Sequence, residues 1–368
     1  MSQSVDFNIA VLPGDGIGPE VTAPCLELLQ AAARRAGNFN VKFSELPAGA
    51  RCYQATGAAL PKATMQAARR ADALLLAAMG DPAVRYPDGT EIGPQLDLRF
   101  ELGLFAGVRP MRVLPGLPPV LADARAKAID FVLIRESTEG LFASRGKGTI
   151  ENDQVARDTM VITRGVSQRL FDFAFALARR RQAEGGKGRV TCVDKANVFA
   201  SFAFFRKIFD ERAARHPEIL AEHAYVDATA LAMVRRPWEL DVLVTENMFG
   251  DILSDLGAGL IGGMGFAPSA DIGDDHAVFQ PCHGSAPDIA GQGKANPTAM
   301  FLSGAMLLDW LASRHGVPAA GTAASLIRAA VDAAYADGVL RPLEIGGTAG
   351  TGRIAEAVLA KLPEVAAD

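Results

Sequence analysis

The sequence predicts an α/β fold, a mostly parallel sheet flanked by helices, from three observations. Short β-branched or apolar runs alternate with longer helical stretches, and the first segments set out a β-α-β unit. Each strand run is also followed by a polar or Gly-containing loop, the usual place for ligands at the carboxyl ends of such strands. Residues 7 to 12 (FNIAVL) read as a buried strand. Residues 19 to 36 read as a helix, opened by Pro19 in its first turn and closed by Gly37-Asn38. Residues 41 to 46 read as the second strand. Further strand runs are 73 to 77 (ALLLA), 129 to 134 (IDFVLI), 159 to 163 (TMVIT), 189 to 193 (RVTCV) and 241 to 245 (DVLVT). The aromatic stretch 198 to 209 (VFASFAFFRKIF) reads as a helix whose Phe side chains fill the core or a subunit interface. No internal repeat or low-complexity linker marks a domain boundary.

The 368 residues carry 37 basic and 42 acidic side chains, a net charge of −5, with 49% hydrophobic and 21% charged residues. That composition supplies a large core and lies far from disordered chains. The length suits two or three domains. Scattered Arg residues form no basic stripe, so nucleic acid is not an expected partner, whereas a few converging Arg suffice for a small anion. Cys25, Cys52, Cys192 and Cys282 lack any C-x-x-C or zinc-like His spacing and read as reduced core thiols. Met1 to Asp6 holds neither a basic nor an apolar leader region, and the longest apolar run, Ala73 to Met79, is far short of a membrane span. The expectation is a cytoplasmic protein with no membrane partner.

Gly14-Asp15-Gly16-Ile17-Gly18 lies between the first strand and the first helix, either as a tight turn that needs backbone freedom or as a phosphate-binding turn. Its G-x-G-x-G spacing departs from the dinucleotide fingerprint. Arg99, Arg109 and Arg135 stand at loop and strand ends, and planar guanidinium groups of this kind grip carboxylates bidentately; singly, each also suits a surface ion pair. Asp251 and Asp255 lie four apart at the start of a helix and so share a face. With Asp227 nearby they would suit Mg²⁺ or Mn²⁺; they would equally complement a helix dipole. Lys195 follows a strand beside Asp194 and Asn197, as a pocket base or as a salt-bridge lysine. The segment CHGSAPDIAGQGKANP, 282 to 297, is a long polar loop of the functional kind, in which His283, Asp288 and Asn296 offer hydrogen bonds to a sugar and a purine.

Together the blocks LPGDGIGPEV, DKANV, YVDA, NMFGDILSDL and HGSAPDIAGQGKANPTA, in this order along nearly the whole chain, resemble the decarboxylating dehydrogenases of malate-type 2-hydroxy acids. That family includes 3-isopropylmalate, isocitrate, homoisocitrate, tartrate and D-malate dehydrogenases, and the motifs look most like the isopropylmalate group. The resemblance implies a two-domain fold with a large sheet: a first domain from 1 to 104 plus 262 to 368, and an inserted second domain, 105 to 261, for substrate, metal and dimerisation. It implies Arg99, Arg109 and Arg135 as the grip on the substrate carboxylates, with Gln95, Leu96, Asn197 and Val198 lining the site. Asp227, Asp251 and Asp255 are implied as Mg²⁺ or Mn²⁺ ligands, with K⁺ as an accessory ion, and Lys195 and Asp227 as catalytic residues. In the family those two residues complete the active site of the other subunit, which implies a homodimer with shared active sites. His283, Gly284, Ser285, Ala286, Asp288, Ile289 and Asn296 are implied as the dinucleotide site. Asp288 there repels a 2′-phosphate, and the Lys-Tyr pair of NADP users is absent, so NAD is the implied cofactor. The G-x-G-x-G turn is not this family's main phosphate grip.

Several positions depart from the family pattern. Phe142 stands where most members carry a Tyr that protonates C3 of the enolate, so either water, Lys195 or a side chain of the loop from Ser144 to Lys147 substitutes, or protonation is slow and decarboxylation is uncoupled. The stretch Ile92-Gly93-Pro94-Gln95-Leu96 replaces the Glu and Leu-Leu typical of isopropylmalate enzymes. GDPAVRYPDG, 80 to 89, resembles tartrate and D-malate enzymes instead. Gln280 and Gly107 replace the usual Glu and Asn. The implied reaction is metal- and NAD-dependent oxidative decarboxylation of 3-isopropylmalate or a related 3-substituted malate. A tartrate or D-malate dehydrogenase, a non-decarboxylating alcohol dehydrogenase and a catalytically weak NAD- and anion-binding homologue are the alternatives.

Overall fold

The chain begins with β1 (Val5–Gly14), α1 (Gly18–Ala36) and β2 (Phe39–Glu45), the β-α-β unit that the sequence predicts. The computed structural model describes residues 4–363; residues 1–3, the start of the N-terminal segment read above, and 364–368 lie outside the described residues. Helix α1 buries Val21, Cys25, Leu28 and Leu29, the spacing of one helical face, and ends where Gly37 turns to φ +67°. Helices α2 (Ala50–Thr56) and α3 (Lys62–Arg70) lead to β3 (Ala73–Ala78), buried along its whole length. Helix α4 (Pro94–Glu101) precedes β4 (Ala106–Arg112) and β5 (Asp130–Glu136). An exposed hairpin, β6 (Thr149–Glu151) and β7 (Val155–Arg157), comes before α5 (Arg164–Ala183) and β8 (Arg189–Asp194). Then follow α6 (Ala200–Ala213), β9 (Leu220–Tyr225), α7 (Val226–Arg235), β10 (Val242–Thr245) and α8 (Asn247–Leu260). The chain continues through β11 (Pro268–Ile272), β12 (Ala277–Pro281), α9 (Thr298–His315), α10 (Pro318–Tyr335) and α11 (Thr351–Ala360).

Ten strands form one sheet in the order β2-β1-β3-β12-β11-β4-β5-β10-β8-β9. Both flanks are parallel, and only the centre is antiparallel, where β11 opposes β12 and β4, and β4 opposes β5. The register pairs Gly107 with Arg135 on one side and with Asp271 on the other, and Ser269 with Gln280. Because side chains alternate along a strand, Gly107, Arg109, Arg135, Asp271 and Gln280 all project from one face of the central sheet. Strands β5, β8 and β10 are parallel, so the loops after them, carrying Ser137, Lys195 and the start of α8, leave from a common edge.

The helix expected from the aromatic stretch is α6, with Phe202, Phe205 and Phe209 in the core and Phe199 and Phe204 exposed. All four cysteines are free thiols. No helix of the described residues is long and apolar enough to cross a membrane. One strand expectation fails: 159 to 163 does not form a strand. Val161 makes a single bridge to Gly140, while Ser144 Oγ donates to the Thr159 carbonyl (2.6 Å) and accepts from its N–H (2.8 Å). A β-branched run forms a strand only where a neighbouring strand presents its edge.

Candidate active site

Three arginines from three elements meet on the central sheet face, all nearly buried: Arg99 from α4, Arg109 from β4 and Arg135 from β5. Arg99 Nε donates to Asp271 Oδ2 (2.9 Å), and Arg109 reaches Asp271 Oδ1 (3.3 Å) and the Ala270 carbonyl (3.2 Å). Arg135 donates from Nε and Nη2 to Asn247 Oδ1 (2.9 and 2.7 Å), pairs with Asp251 and lies 4.9 Å over the Phe142 ring. Burial, with Arg99 beside it, pushes the Arg135 pKa down to about 10 against the pull of Asp251, which still leaves it charged at neutral pH. Asp271 itself is fully buried; burial pushes its carboxyl up, but Arg99 and Arg109 outweigh that and hold it below the ordinary value. Two small residues make this packing fit. A Cβ on Gly250 would stand 2.6 Å from the Arg135 side chain, and one on Gly107 would stand 2.6 Å from Ser137 Oγ and 3.1 Å from Asp271 Oδ1.

Lys195 and Asp227 come together as a pair, Nζ to Oδ1 2.8 Å, between the end of β8 and the first turn of α7. The Lys195 contact holds the exposed Asp227 carboxyl below its ordinary range. Neighbouring Asp194 is wholly buried and structural: it accepts two bonds from Arg206 (2.8 and 2.7 Å) and one from the Ala196 N–H (2.9 Å). Asn197 and Val198 lie exposed on the turn after Lys195. Asp251 and Asp255 occupy one face of α8, whose N-terminus is capped by the buried Glu246. Burial and the adjacent Asp251 charge both push the Asp255 carboxyl up. Two hard oxygen donors that repel each other suit a divalent cation. Among the described residues no three His, Cys, Asp or Glu side chains cluster as a metal site within one chain, so Asp227 does not join Asp251 and Asp255 here.

The 282 to 297 loop folds onto the G-x-G-x-G turn. Gly14 and Gly16 take φ +70° and +55°, the Ile17 N–H donates to the Ser285 carbonyl (2.8 Å), and a Cβ on Gly16 would stand 1.9 Å from that oxygen. Ala286 holds φ +38°, a conformation rarely adopted by a residue with a side chain. Asp288 is exposed, Gly284 and Ile289 lie beside it on the same loop, and Asn296 is buried, donating to Glu344 (3.1 Å) and accepting from the Thr298 N–H (3.1 Å). An open cleft of ≈ 610 Å³ runs between Gly16, Glu20, Arg51, Gly291 and Gly293. Glycine-bounded and next to the N-terminus of α1, it offers a dinucleotide backbone close approach.

Sequence reasoning passed over two carboxylates that build this region. Asp15 accepts N–H bonds from Ala50 (2.7 Å), Arg51 (2.9 Å) and Gly80 (2.8 Å). Glu20 accepts from Ala295 N (3.1 Å) and Gly293 N (3.4 Å) and from Thr351 Oγ1. Their only signal was an acid set among turn glycines and one in the first helical turn.

His283 Nδ1 stands 3.0 Å from the Gly284 carbonyl, while Nε2 is buried with no partner among the described residues. Burial pushes the imidazole pKa below its ordinary value, only partly offset by the Gly284 contact. The folded state thus resists protonation that the unfolded chain accepts near pH 6.5. The stability held by neutral His283 is complete above that pH and is lost as the pH falls through the lower folded value. Thermal midpoints recorded from pH 8 to pH 5 should fall less steeply for His283→Gln than for the native protein, and an equal slope would rule this out.

The sequence model of the isocitrate/isopropylmalate dehydrogenase family matches residues 8–358. The chain belongs to that family. It is 41% identical to 3-isopropylmalate dehydrogenase of Moorella thermoacetica over 97% of this chain and 99% of the relative. It is 39% identical to 3-isopropylmalate/3-methylmalate dehydrogenase of Methanocaldococcus jannaschii, again over 97% and 99%. Among solved structures, isocitrate dehydrogenase from Methylococcus capsulatus superposes with a TM-score of 0.84 at 36% identity, covering 97% of this chain and 99% of that one. The β-decarboxylating dehydrogenase from Thermococcus kodakarensis gives 0.78 at 36% identity, over 97% and 96%. The expected fold class is therefore right, and the chain is a decarboxylating dehydrogenase acting on a CH–OH group.

Proposed function

We propose that this enzyme oxidatively decarboxylates 3-isopropylmalate or a close 3-alkylmalate, using NAD and Mg²⁺ or Mn²⁺. The observation that carries the reading is the convergence of Arg99, Arg109 and Arg135 beside Asp251, which sets a dicarboxylate grip next to hard oxygen donors. NAD, when bound, accepts the hydride, and the divalent ion draws electrons toward the C2 oxygen. Asp251 and Asp255 would hold the ion with Asp227 of a second copy, and the loop 283 to 296 would hold the dinucleotide, its exposed Asp288 facing the ribose hydroxyls. The arginines fix the two carboxylates so that C2–H is presented in one orientation. Lys195, oriented by Asp227, takes the C2 hydroxyl proton; CO₂ then leaves from the β-carboxylate and C3 needs a proton. Phe142 has none to give, and Ser144 Oγ and Arg145 are committed to Thr159 and Asp97. Lys195, water or the exposed Lys147 therefore serves as the acid.

The same arrangement supports a homodimer. Lys195 and Asp227 pair with each other away from Asp251 and Asp255, and the helices bearing these acids expose apolar side chains: Leu231 (59%) and Val234 on α7, Ile252 (62%) on α8. A second copy covering them would bring Asp227 to the partner's metal face. The division into a first domain of 1 to 104 with 262 to 368 and a second of 105 to 261 fits this, because the second then carries the whole dimer face.

A tartrate or D-malate reading is favoured by Gln95, whose Oε1 is buried without a donor among the described residues. A hydroxyl at C3 would supply one. Assays with NAD, Mn²⁺ and malates bearing H, OH or alkyl groups at C3 decide between them. NADH and CO₂ should appear in equal amounts, fastest with the alkyl compound. NADH without CO₂ would refute decarboxylation, and neither product despite NAD binding would indicate a binding protein.

A further inference from the structure

Behind the three arginines lies a buried carboxylate that the reaction does not use. Asp271 is enclosed on β11 and accepts from Arg99 Nε (2.9 Å), Arg109 Nη2 (3.3 Å), Gln280 Nε2 (2.7 Å) and Ser137 Oγ (3.4 Å). Four donors for one carboxylate leave it no unmet demand, and it needs no substrate group to complete its bonding. The adjoining residues are fitted to it. Gln280, buried on β12, contributes a neutral amide donor, and Gly107 has no side chain where a Cβ would meet Asp271 Oδ1 at 3.1 Å and Ser137 Oγ at 2.6 Å.

The consequence is electrostatic. With the charges of Asp251 and Asp255 offset by the divalent ion they would hold, the three buried guanidinium groups would present three positive charges to a ligand, and Asp271 removes one of them at the position of Arg99 and Arg109. The remainder matches the two carboxylates of a malate with an uncharged C3 substituent. A third carboxylate on the substrate would enter a site with no charge left to meet it, and low local dielectric magnifies the mismatch.

We infer that Asp271 is a specificity-determining and positioning residue: paired with Gln280, it orients Arg99 and Arg109 and restricts the site to dianionic malates, rejecting tricarboxylates. The inference rests on the three arginines forming the carboxylate grip proposed above. It assigns Asp271 no contact with the reacting atoms.

Calorimetric binding of two anions to the Mn²⁺-loaded protein, without nucleotide and so without turnover, tests it. One is malate with an isopropyl group at C3, the other malate with a carboxymethyl group at C3. The native protein should bind the first at least about tenfold more tightly. Asp271→Asn should narrow that ratio by about tenfold, the scale of one unit charge acting at short range inside a protein. Where Asp271→Asn fails to fold, Gln280→Lys retains Asp271, adds the same single positive charge and should narrow the ratio likewise. A folded variant whose ratio is unchanged overturns the inference, as does one that weakens both anions equally, since Asp271 would then only hold the arginines in place. Native protein that binds the trianion as tightly as the dianion also overturns it and leaves the dehydrogenase reading intact. Native protein that binds neither anion overturns both.

Discussion

Replacing Lys195 by Met is expected to lower kcat by about 10²–10⁴-fold, the usual range for loss of a positioned acid–base group, while KM for the malate substrate moves only a few-fold. The small KM effect follows if the carboxylates are held, as proposed, by Arg99, Arg109 and Arg135, which Lys195 does not touch; its partner is Asp227 at 2.8 Å. Lys195→Arg should be nearly as inactive despite keeping the charge, because a guanidinium does not release its proton in this pH range. Phe142 makes the test sharper. With a Phe ring rather than a hydroxyl beside Arg135, position 142 offers no proton, and on the proposed reading Lys195 has fewer groups to share its task with. Single-turnover NADH formation and the appearance of the C3-protonated 2-oxo acid, measured in parallel, separate its two roles. If both steps survive in Lys195→Met within about tenfold, the assignment is wrong.

Much of the fold is legible in the sequence because most strands are continuous apolar runs: ALLLA, FVLI and VTCV sit in β3, β5 and β8 with every side chain there buried. The central strands escape for the opposite reason. Strands β4, β11 and β12 carry Arg109, Asp271 and Gln280 at buried positions, and Pro at residues 110, 268 and 281, so their pattern reads as loop. These polar groups are tolerated because they satisfy one another across strands, a relation between residues more than 160 apart that no local pattern reveals. Strand β9 (LAEHAY) is an edge strand with mostly exposed or half-exposed side chains and lacks a core face to read. The candidate site divides similarly. Residues at the ends of legible strands, Arg135 and Lys195, can be named as candidates from their placement, though only the set of arginines gives it weight, whereas Asp271 gains meaning only beside its arginines.

Asp15→Ala is expected to cost about 3–5 kcal/mol of stability, the largest single loss among these substitutions. Its carboxylate accepts N–H groups from Ala50, Arg51 and Gly80, which lie on separate segments, and Gly49 passes so close that a Cβ there would stand 2.2 Å from Asp15 Oδ2. Alanine leaves three N–H groups without their acceptor, the Ala50 N–H in a fully buried position; Asp15→Asn, with one acceptor oxygen in place of two, should lose roughly half as much. The damage should also reach the cleft proposed to take NAD. Asp15 fixes the backbone of Arg51 and sits next to Gly16, both of which line that cleft, and Ile17 carries the bond to Ser285. Urea midpoints for the two variants should therefore fall in the order Ala below Asn below native, with NAD affinity weakening in the same order. A midpoint for Asp15→Ala within error of native would mean that the three segments hold their arrangement without this carboxylate, and its place among the turn glycines would then have no structural explanation.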